Sequence, residues 1–333
     1  MPSFIDRYGS FYKDAKTSRG KNYHYLAIAP SDATKPTLLF IHGFPSTSQD
    51  WHFQIEYFHA KGYGLIVPDL LGYGGTDKPS DTAEYNLRLM AQDVVDLVDH
   101  EKAERAVAIG HDWGSALLSR VAVYHQERFI AFAWFALSFM SPVPQVMPFD
   151  VMLPWLKQNV GVELFAYQEF FLQPGAAKII EDNVEGFIDV MCPADPALWK
   201  EVMTVRGALA EWAAKSKRAP RAEWLLPEDL ERIRKTIANN GLEAPINWYR
   251  GLQGGFNTED EQKLAQQEIK ISKPVFFGAA LQDYIGLADM NKAGIAKIAP
   301  NLTVRDFDTG HWVYLEKPDE VNRELGAWLE TLA

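Results

Sequence analysis

The chain has 333 residues, 47% of them hydrophobic, and its 44 acidic and 33 basic side chains give a formal net charge of −11. This charge repels phosphate backbones and anionic lipid surfaces, so the composition excludes nucleic acid and membranes as expected partners. The length exceeds that of one simple domain, which predicts either two domains or a large insertion in one sheet-based fold.

The segment 1–16 contains no apolar run that could act as a signal peptide, and Cys192 is the only cysteine, so no internal disulfide can form. We therefore expect a cytoplasmic protein. The 10 Trp, 19 Phe and 13 Tyr residues fit either an aromatic-lined pocket for an apolar small molecule or a densely packed interior.

Short apolar runs alternate with helical patterns from Thr37 onward, which is typical of a mostly parallel sheet with helices on both faces. The pattern predicts strands over 24–29, 37–41, 64–67, 106–110, 130–138, 274–279 and 302–306. It predicts helices over 85–100, 114–125 and 319–331. The expected fold class is therefore α/β.

The alternation stops between about Met140 and Lys270, where proline clusters separate helical stretches and no strand is predicted. We interpret this block as a helical lid, or cap, inserted between two strands of one sheet. The chain then divides into a first core part (1–140), the cap (141–270) and a second core part (271–333).

The sequence GHDWGS at 110–115 follows the strand predicted over 106–110 and precedes a helical segment. This arrangement resembles the nucleophile elbow of α/β-hydrolases, G-x-S-x-G, except that Asp112 occupies the serine position. Such a turn projects its central side chain into solvent, and the amino end of the following helix favours negative charge there. We therefore expect Asp112 to be an exposed, ionised nucleophile.

The motif HGFP, residues 42–45, directly follows the strand predicted over 37–41. In α/β-hydrolases the loop after this strand and the residue after the nucleophile each supply one backbone N–H to an oxyanion hole. Here the two donors would belong to Phe44 and Trp113. Pro45 cannot donate, which fits a bent loop with a cis peptide bond.

Two further candidates follow the last two predicted strands. Asp283 comes just after strand 274–279, and His311 comes just after strand 302–306. The chain order of nucleophile, acid and histidine is that of the α/β-hydrolases. Asp289 is a rival for the acid, but it lies further from the end of its strand.

Two other histidines, His42 and His111, lie within the motifs, and we interpret them as hydrogen-bonding support for the reacting groups. None of the histidine or cysteine spacings matches HExxH or a Cys/His zinc pattern. We therefore expect neither a metal ion nor a cofactor.

An aspartate at the elbow determines which reaction is feasible. A carboxylate can attack a saturated carbon that bears a leaving group and form an ester, whereas attack on a carbonyl would give an anhydride. His311 would then activate water against the ester, while Asp283 holds its tautomer and stabilises the imidazolium. The oxyanion hole would stabilise the tetrahedral intermediate formed on Asp112.

HGFP, the segment DLLGYGGTDKP (69–79), GHDWGS, the helical lid and GHW near the C-terminus together resemble the soluble epoxide hydrolases and the haloalkane dehalogenases of the α/β-hydrolase superfamily. The resemblance covers nearly the whole chain. Dehalogenases stabilise a departing halide with N–H donors, whereas epoxide hydrolases neutralise the epoxide oxygen with an acid. HGFP, which lacks Asn at the third position, favours the epoxide hydrolases.

The resemblance also implies two acids in the lid. PINWYRG (245–251) and LFAYQEFFLQPG (164–175) look like the segments in which soluble epoxide hydrolases carry lid tyrosines, which map onto Tyr249 and Tyr167. Their phenols would protonate the epoxide oxygen. The implied reactants are a small apolar epoxide and water, and the product is a vicinal diol.

Two other functions remain open at this point. A haloalkane or haloacid dehalogenase could use the same scaffold, because dehalogenases also place a tryptophan at the position of Trp113. A non-catalytic small-molecule receptor is a third possibility, since hydrolase folds are reused for binding. Both a monomer and a homodimer fit the sequence.

Overall fold

The computed structural model describes residues 3–332, and its centre is an eight-stranded sheet. The strands are β1 (Tyr12–Lys16), β2 (Asn22–Ile28), β3 (Thr37–Ile41), β4 (Gly64–Pro68), β5 (Ala106–His111), β6 (Ala131–Phe135), β7 (Val275–Ala280) and β8 (Leu302–Phe307). Their order is β1-β2-β4-β3-β5-β6-β7-β8. β2 pairs antiparallel with β1 and β4, and the remaining pairs are parallel.

From β3 onward, the helices of the described chain alternate with the strands except in one long segment between β6 and β7. They are α1 (Phe4–Tyr8), α2 (His52–Ala60), α3 (Leu87–His100), α4 (Trp113–Tyr124), α5 (Phe149–Val160), α6 (Ala166–Phe171), α7 (Ala176–Asp182), α8 (Val184–Met191), α9 (Leu198–Val202), α10 (Ala208–Ala214), α11 (Pro227–Asn240), α12 (Glu243–Gln253), α13 (Thr258–Ala265), α14 (Ala288–Ala296), α15 (Val313–Glu316) and α16 (Pro318–Leu329). Short 3₁₀ turns lie at Gly9–Phe11, Ser48–Trp51, Thr82–Tyr85, Gln126–Arg128 and Glu330–Leu332.

The five strands from β3 to β7 are buried along their whole length. Continuous apolar runs of this kind form the centre of a parallel sheet because helices cover both of its faces. α3 packs with α4 and α2 packs with α16 as the flanking helices. The predicted α/β fold with a mostly parallel, helix-flanked sheet is confirmed.

Helices α5 to α13 lie between β6 and β7, and we call residues 136–274 the inserted segment. It adds no strand to the sheet; its one extended contact is an isolated bridge between Pro193 and Arg221. The division into core and cap at residues 140 and 270 stays a prediction. Within residues 3–332, no helix combines the length and apolar character needed to cross a membrane.

The predicted strands are present, with most ends displaced by one or two residues. The largest error is at β6, which ends at Phe135 rather than at residue 138, because Ala136 adopts a left-handed φ of 61° and turns the chain away. The helix predicted from residue 85 begins at Leu87, where the Asn86 side chain accepts the Leu89 N–H at 3.0 Å and caps it. β1 was missed because it is an edge strand in which only Ala15 is buried.

A buried ion pair joins α4 to the inserted segment. Arg120 donates to both carboxylate oxygens of Glu261 on α13, at 2.7 and 2.6 Å, and to the Met140 carbonyl at 2.7 Å. Glu261 also accepts the Val143 N–H at 2.9 Å. The helix that follows Asp112 is thereby tied to both ends of the inserted segment.

We expect Arg120→Met to lower the free energy of unfolding by about 3–5 kcal/mol, because it leaves Glu261 buried without its partner. The matched control is Arg88→Met, which removes a half-exposed pair with Asp260 of the same helix and should cost about 1 kcal/mol or less. Urea unfolding of both variants measures the difference. Equal losses for the two variants would contradict this account of Arg120.

Candidate active site

The sharp turn at Asp112 joins β5 directly to α4. Asp112 has φ 54° and ψ −124°, a strained conformation for a residue with a side chain, and it is the amino-terminal cap residue of α4. A Cβ atom at Gly114 would collide with the backbone of Ile41 and His42. Only glycine therefore lets the turn approach the end of β3 closely enough to bring Asp112 beside the HGFP loop.

The Asp112 carboxylate is held by the two backbone groups named from the sequence. The Phe44 N–H donates to Asp112 Oδ1 at 2.7 Å. Burial raises the pKa of Asp112, while the charge of His311 and hydrogen bonds from the Phe44 and Trp113 N–H groups oppose that rise. The peptide bond between Phe44 and Pro45 is cis, as the motif suggested.

The expectation that Asp112 is exposed is wrong. Its side chain is 12% accessible, because residues of the inserted segment such as Tyr167 and Tyr249 cover it and line the same small cavity. The elbow projects the carboxylate out of the sheet, as the motif requires, but into an enclosed space instead of into bulk water.

His311 bridges Asp283 and Asp112. Its Nδ1–H donates to Asp283 Oδ2 at 2.6 Å, and its Nε2 lies 3.6 Å from Asp112 Oδ2. Burial disfavours the imidazolium, but the charge of Asp283, its hydrogen bond and the charge of Asp112 together hold the pKa of His311 above its ordinary value. The imidazole is therefore oriented with Nε2 towards the carboxylate of the elbow.

Asp283 is fixed at the end of β7. Its Oδ1 accepts the N–H groups of Ile285 and Gly286 at 2.8 and 2.9 Å. Although burial alone would raise the pKa of Asp283, the His311 charge and these hydrogen bonds hold it below its ordinary value. The rival Asp289 is exposed on α14 and is not among the hydrogen-bond partners of His311.

The two motif histidines have buried neighbours that fix their protons. The Leu70 N–H donates to His42 Nε2 at 3.0 Å, so His42 Nδ1–H donates to the Gly43 carbonyl at 2.9 Å. His111 Nε2–H donates to the His311 carbonyl at 2.8 Å. Burial lowers the pKa of both rings, so both stay neutral and support the loops that carry Phe44 and His311.

Tyr167 on α6 and Tyr249 on α12 come together above Asp112. Their ring centroids are 6.0 Å apart in an edge-on arrangement, and the Tyr249 ring lies 4.9 Å from that of Trp113. Gln168 donates its amide N–H to the Tyr167 hydroxyl at 3.4 Å. Burial raises the pKa of both phenols, so both are protonated at neutral pH.

Two cavities meet at Asp112. A small one, about 10 Å³, is bordered by Asp112, His311 and both tyrosines, and such a space accommodates about one water molecule. A larger one, about 530 Å³, also borders Asp112 and Tyr167 and extends along the inserted segment. A separate small space near Arg232 includes neither Asp112 nor His311.

Sequence reasoning missed several residues of the site. Glu316 accepts the Gly310 and Trp312 N–H groups at 2.8 and 3.0 Å and so fixes the backbone on both sides of His311. Six of the eight methionines line the two cavities: Met140, Met147, Met152, Met191, Met203 and Met290. Their clustering could be recognised only after folding, since they are scattered over 151 positions from 140 to 290.

No metal-binding group of three or more histidine, cysteine or acidic side chains occurs in the described part of the chain. The groups that converge at Asp112 are its buried carboxylate, the imidazole of His311 paired with Asp283, two neutral phenols and the backbone N–H groups of Phe44 and Trp113.

A sequence profile of the family described as alpha/beta hydrolase fold matches residues 36–318. The chain is 28% identical over 314 residues to bifunctional epoxide hydrolase 2 of Sus scrofa, covering 94% of this chain and 54% of the relative. The chain thus spans about half the length of the mammalian relatives it matches. It is 27% identical to epoxide hydrolase A of Mycobacterium tuberculosis, covering 89% of this chain and 91% of that protein.

Solved structures of epoxide hydrolases are also similar to this chain. The crystal structure of epoxide hydrolase A from Mycobacterium thermoresistibile superposes with a TM-score of 0.77 at 26% identity, over 96% of this chain and 98% of that one. An epoxide hydrolase from an endophytic Streptomyces superposes with a TM-score of 0.80 at 25% identity, over 96% and 95% of the two chains.

Proposed function

Because the chain belongs to the alpha/beta hydrolase fold family, we propose that it is an epoxide hydrolase that converts epoxides and water to vicinal diols through an ester with Asp112. The observation that carries the proposal is the position of this carboxylate. Asp112 Oδ1 accepts the Phe44 N–H, Oδ2 faces His311 Nε2 at 3.6 Å, and Tyr167 and Tyr249 border the same cavity.

Ring opening is the first proposed step. Asp112 Oδ2 attacks an epoxide carbon, the bond from that carbon to the ring oxygen breaks, and the oxygen takes a proton from Tyr167 or Tyr249. The phenols suit this role because burial keeps them protonated. Asp112 Oδ1 becomes the ester carbonyl oxygen and stays with the Phe44 and Trp113 N–H groups.

Hydrolysis of the ester is the second proposed step. Water between His311 and Asp112 loses a proton to His311 Nε2 and attacks Asp112 Cγ, so that negative charge develops on Oδ1 within the oxyanion hole. Collapse breaks the bond from Cγ to Oδ2 and releases the diol, whose new hydroxyl receives the proton from His311. Asp283 stabilises the imidazolium in between. The second proton of the water, left on the re-formed Asp112 carboxyl group, returns to the tyrosinate and restores the starting state.

The names of the relatives support the epoxide substrate and do not favour the dehalogenase alternative. The arrangement of Asp112, His311 and Asp283 argues against a non-catalytic receptor. His311 lies 2.6 Å from Asp283 Oδ2 and 3.6 Å from Asp112 Oδ2. A receptor has no need of a water-sized space between the histidine and the carboxylate.

Isotope labelling under single-turnover conditions tests the proposal. With enzyme in excess over a small epoxide in ¹⁸O-water, the first diol should contain unlabelled oxygen from Asp112, and the label should appear in the peptide that contains Asp112. Mass spectrometry measures both. Label in the first diol would instead show direct attack by water and would overturn the ester route.

We expect Tyr167→Phe and Tyr249→Phe each to slow ring opening by roughly 10²–10⁴-fold, because each removes a proton donor for the epoxide oxygen. Hydrolysis of the preformed ester should change much less. Quenched single-turnover reactions measure the two steps separately. Tyr63→Phe is the matched control. This buried phenol lies just before β4, at the amino end of that strand, whereas Asp112 follows the carboxyl end of β5, and it donates to Glu330.

Ester hydrolysis should lose rate as the pH falls through the pKa of His311, because only the neutral imidazole accepts a proton from water. Burial lowers the pKa of His311, whereas the charge of Asp283 and its hydrogen bond raise it. These two contributions of Asp283 persist in the ester, in which Asp112 no longer carries a charge, so the rate should fall in weakly acidic solution. Asp283→Asn should shift this fall in rate to lower pH. Single-turnover rates from about pH 5 to about pH 9 measure the shift. If the fall occurs at the same pH in the variant, Asp283 does not set the pKa of His311.

A further inference from the structure

The larger cavity beside Asp112 has a volume of about 530 Å³. At about 30 Å³ for each water-sized group, it accommodates roughly 18 methylene-sized groups. Trp113 and Tyr167 line it together with Asp112, so a substrate that fills the cavity reaches the reacting carboxylate. The cavity is therefore far larger than the epoxide ring that the two proposed steps require.

The wall of this cavity provides no cation. Among the residues that line it, Asp112 alone carries a formal charge. The other polar side chains are neutral: Ser138, Ser141, Gln145, Tyr167, Gln168, Gln253 and Asn291. A carboxylate group on the substrate would lose its hydration inside the cavity, find no opposite charge, and be repelled by Asp112.

Part of the wall packs on a small hydrophobic cluster instead of on the main core. Leu164 belongs to this cluster, which is built around α5, and Met152 and Leu287 pack against it, whereas Phe165 contacts both this cluster and the large one that surrounds the sheet. Methionine side chains are unbranched and adapt to irregular shapes. The wall can therefore adjust to a bulky hydrocarbon while the sheet and Asp112 stay in place.

The mouth of the cavity is apolar as well. Met147 and Met290 line the cavity and are 42% and 52% exposed. They lie just before α5 and on α14, so the opening is between the inserted segment and the part of the chain that follows β7. An apolar chain entering there meets methionine side chains rather than charges.

We propose that this cavity selects uncharged epoxides with a hydrocarbon part of on the order of ten carbons or more, and that it discriminates against carboxylate-bearing epoxides. This inference rests on the proposed function, because it names the substrate class of the same site. The size of the cavity determines the preferred length, and the missing cation determines the preferred charge.

The first test is a series of unbranched terminal epoxides with 4 to 12 carbons. Because each buried methylene is worth about fourfold, kcat/KM should rise by about that factor per carbon until the cavity is filled. At ten carbons, the methyl ester of 9,10-epoxydecanoic acid should be preferred over the free acid by about tenfold or more. A flat series, or equal rates for ester and acid, would overturn the inference.

A charge placed at the mouth gives the second test. Met290→Arg should raise the ratio of kcat/KM for the acid to that for the ester by about tenfold, because a guanidinium there pairs with the carboxylate. Met290→Gln, which adds no charge, and Val205→Arg, which adds the same charge at an exposed position outside the cavity wall, should leave the ratio as it is in the wild type. The same rise in either control would overturn the inference.

The affinities of diol products, measured by calorimetry, distinguish a failure of this inference from a failure of the proposed function. If 1,2-decanediol binds much more tightly than 1,2-butanediol but no epoxide is turned over, the cavity inference stands and the proposed function fails. If epoxides are turned over without regard to chain length or charge, the proposed function stands and the cavity inference fails.

Discussion

Replacing Asp112 by alanine is expected to abolish diol formation, with a loss in kcat of at least about 10⁴-fold. Under the proposed mechanism Asp112 supplies both the nucleophile and the oxygen that leaves in the first diol, so no other group at the site can replace it. His311 is held by Asp283 at Nδ1 and faces Asp112 with Nε2, so it carries no nucleophile that could take the place of the carboxylate. Chromatographic assay of the diol measures the loss.

A second variant separates loss of the nucleophile from loss of structure. Asp112→Asn keeps the size of the side chain and an oxygen that can accept the Phe44 N–H, but it removes the anion. It should be as inactive as Asp112→Ala and should unfold at a temperature close to that of the wild type. Asp289→Ala, which alters the exposed acid on α14, should retain full activity. Diol formation at the wild-type rate by Asp112→Asn would contradict the assignment of the nucleophile.

Local patterns were sufficient to predict most of the sheet. β3, β5 and β7 are continuous apolar runs bounded by turn residues, and the carboxyl ends of parallel strands meet at one edge. For that reason the positions of Asp283 and His311, each just after a strand, were enough to expect them beside the elbow. Their 2.6 Å contact follows from the pairing of β7 with β8.

Elements without a single apolar stripe could not be predicted in this way. α2, with the sequence HFQIEYFHA, buries Gln54 and His52 as well as Ile55 and Phe58. Such a mixed face gives no clear helical period, because polar residues buried by tertiary contacts look like surface residues in the sequence. β1 was missed for a different reason. It is the edge strand of the sheet, and with one buried residue its sequence shows almost no apolar pattern.

The burial of Asp112 depends on contacts between distant parts of the chain. Tyr167 and Tyr249 are 82 positions apart and lie on different helices of the inserted segment. They were named through the resemblance to a known family and not through local periodicity. No short-range rule indicates that two helices will pack over the elbow, so the motif alone suggested an exposed side chain.

Replacing His311 by glutamine is expected to trap the ester on Asp112. Ring opening needs the Asp112 carboxylate and the two phenols, so it should proceed within a few-fold of the wild-type rate, whereas ester hydrolysis should slow by about 10⁴-fold because no group accepts the proton from water. Intact-protein mass spectrometry should then show one substrate mass added to each chain, and diol release should stop after the first turnover.

Two controls decide what such an adduct means. His59→Gln changes a half-buried histidine that contacts the Tyr8 hydroxyl and should neither trap an adduct nor slow turnover. The double variant Asp112→Asn with His311→Gln should form no adduct, because the carboxylate that carries the ester is gone. Because His311 Nε2 lies 3.6 Å from Asp112 Oδ2 on the side of the water-sized cavity, its proposed role is confined to the second step. A His311→Gln enzyme that fails to open the ring while remaining folded would show instead that the imidazole acts in the first step.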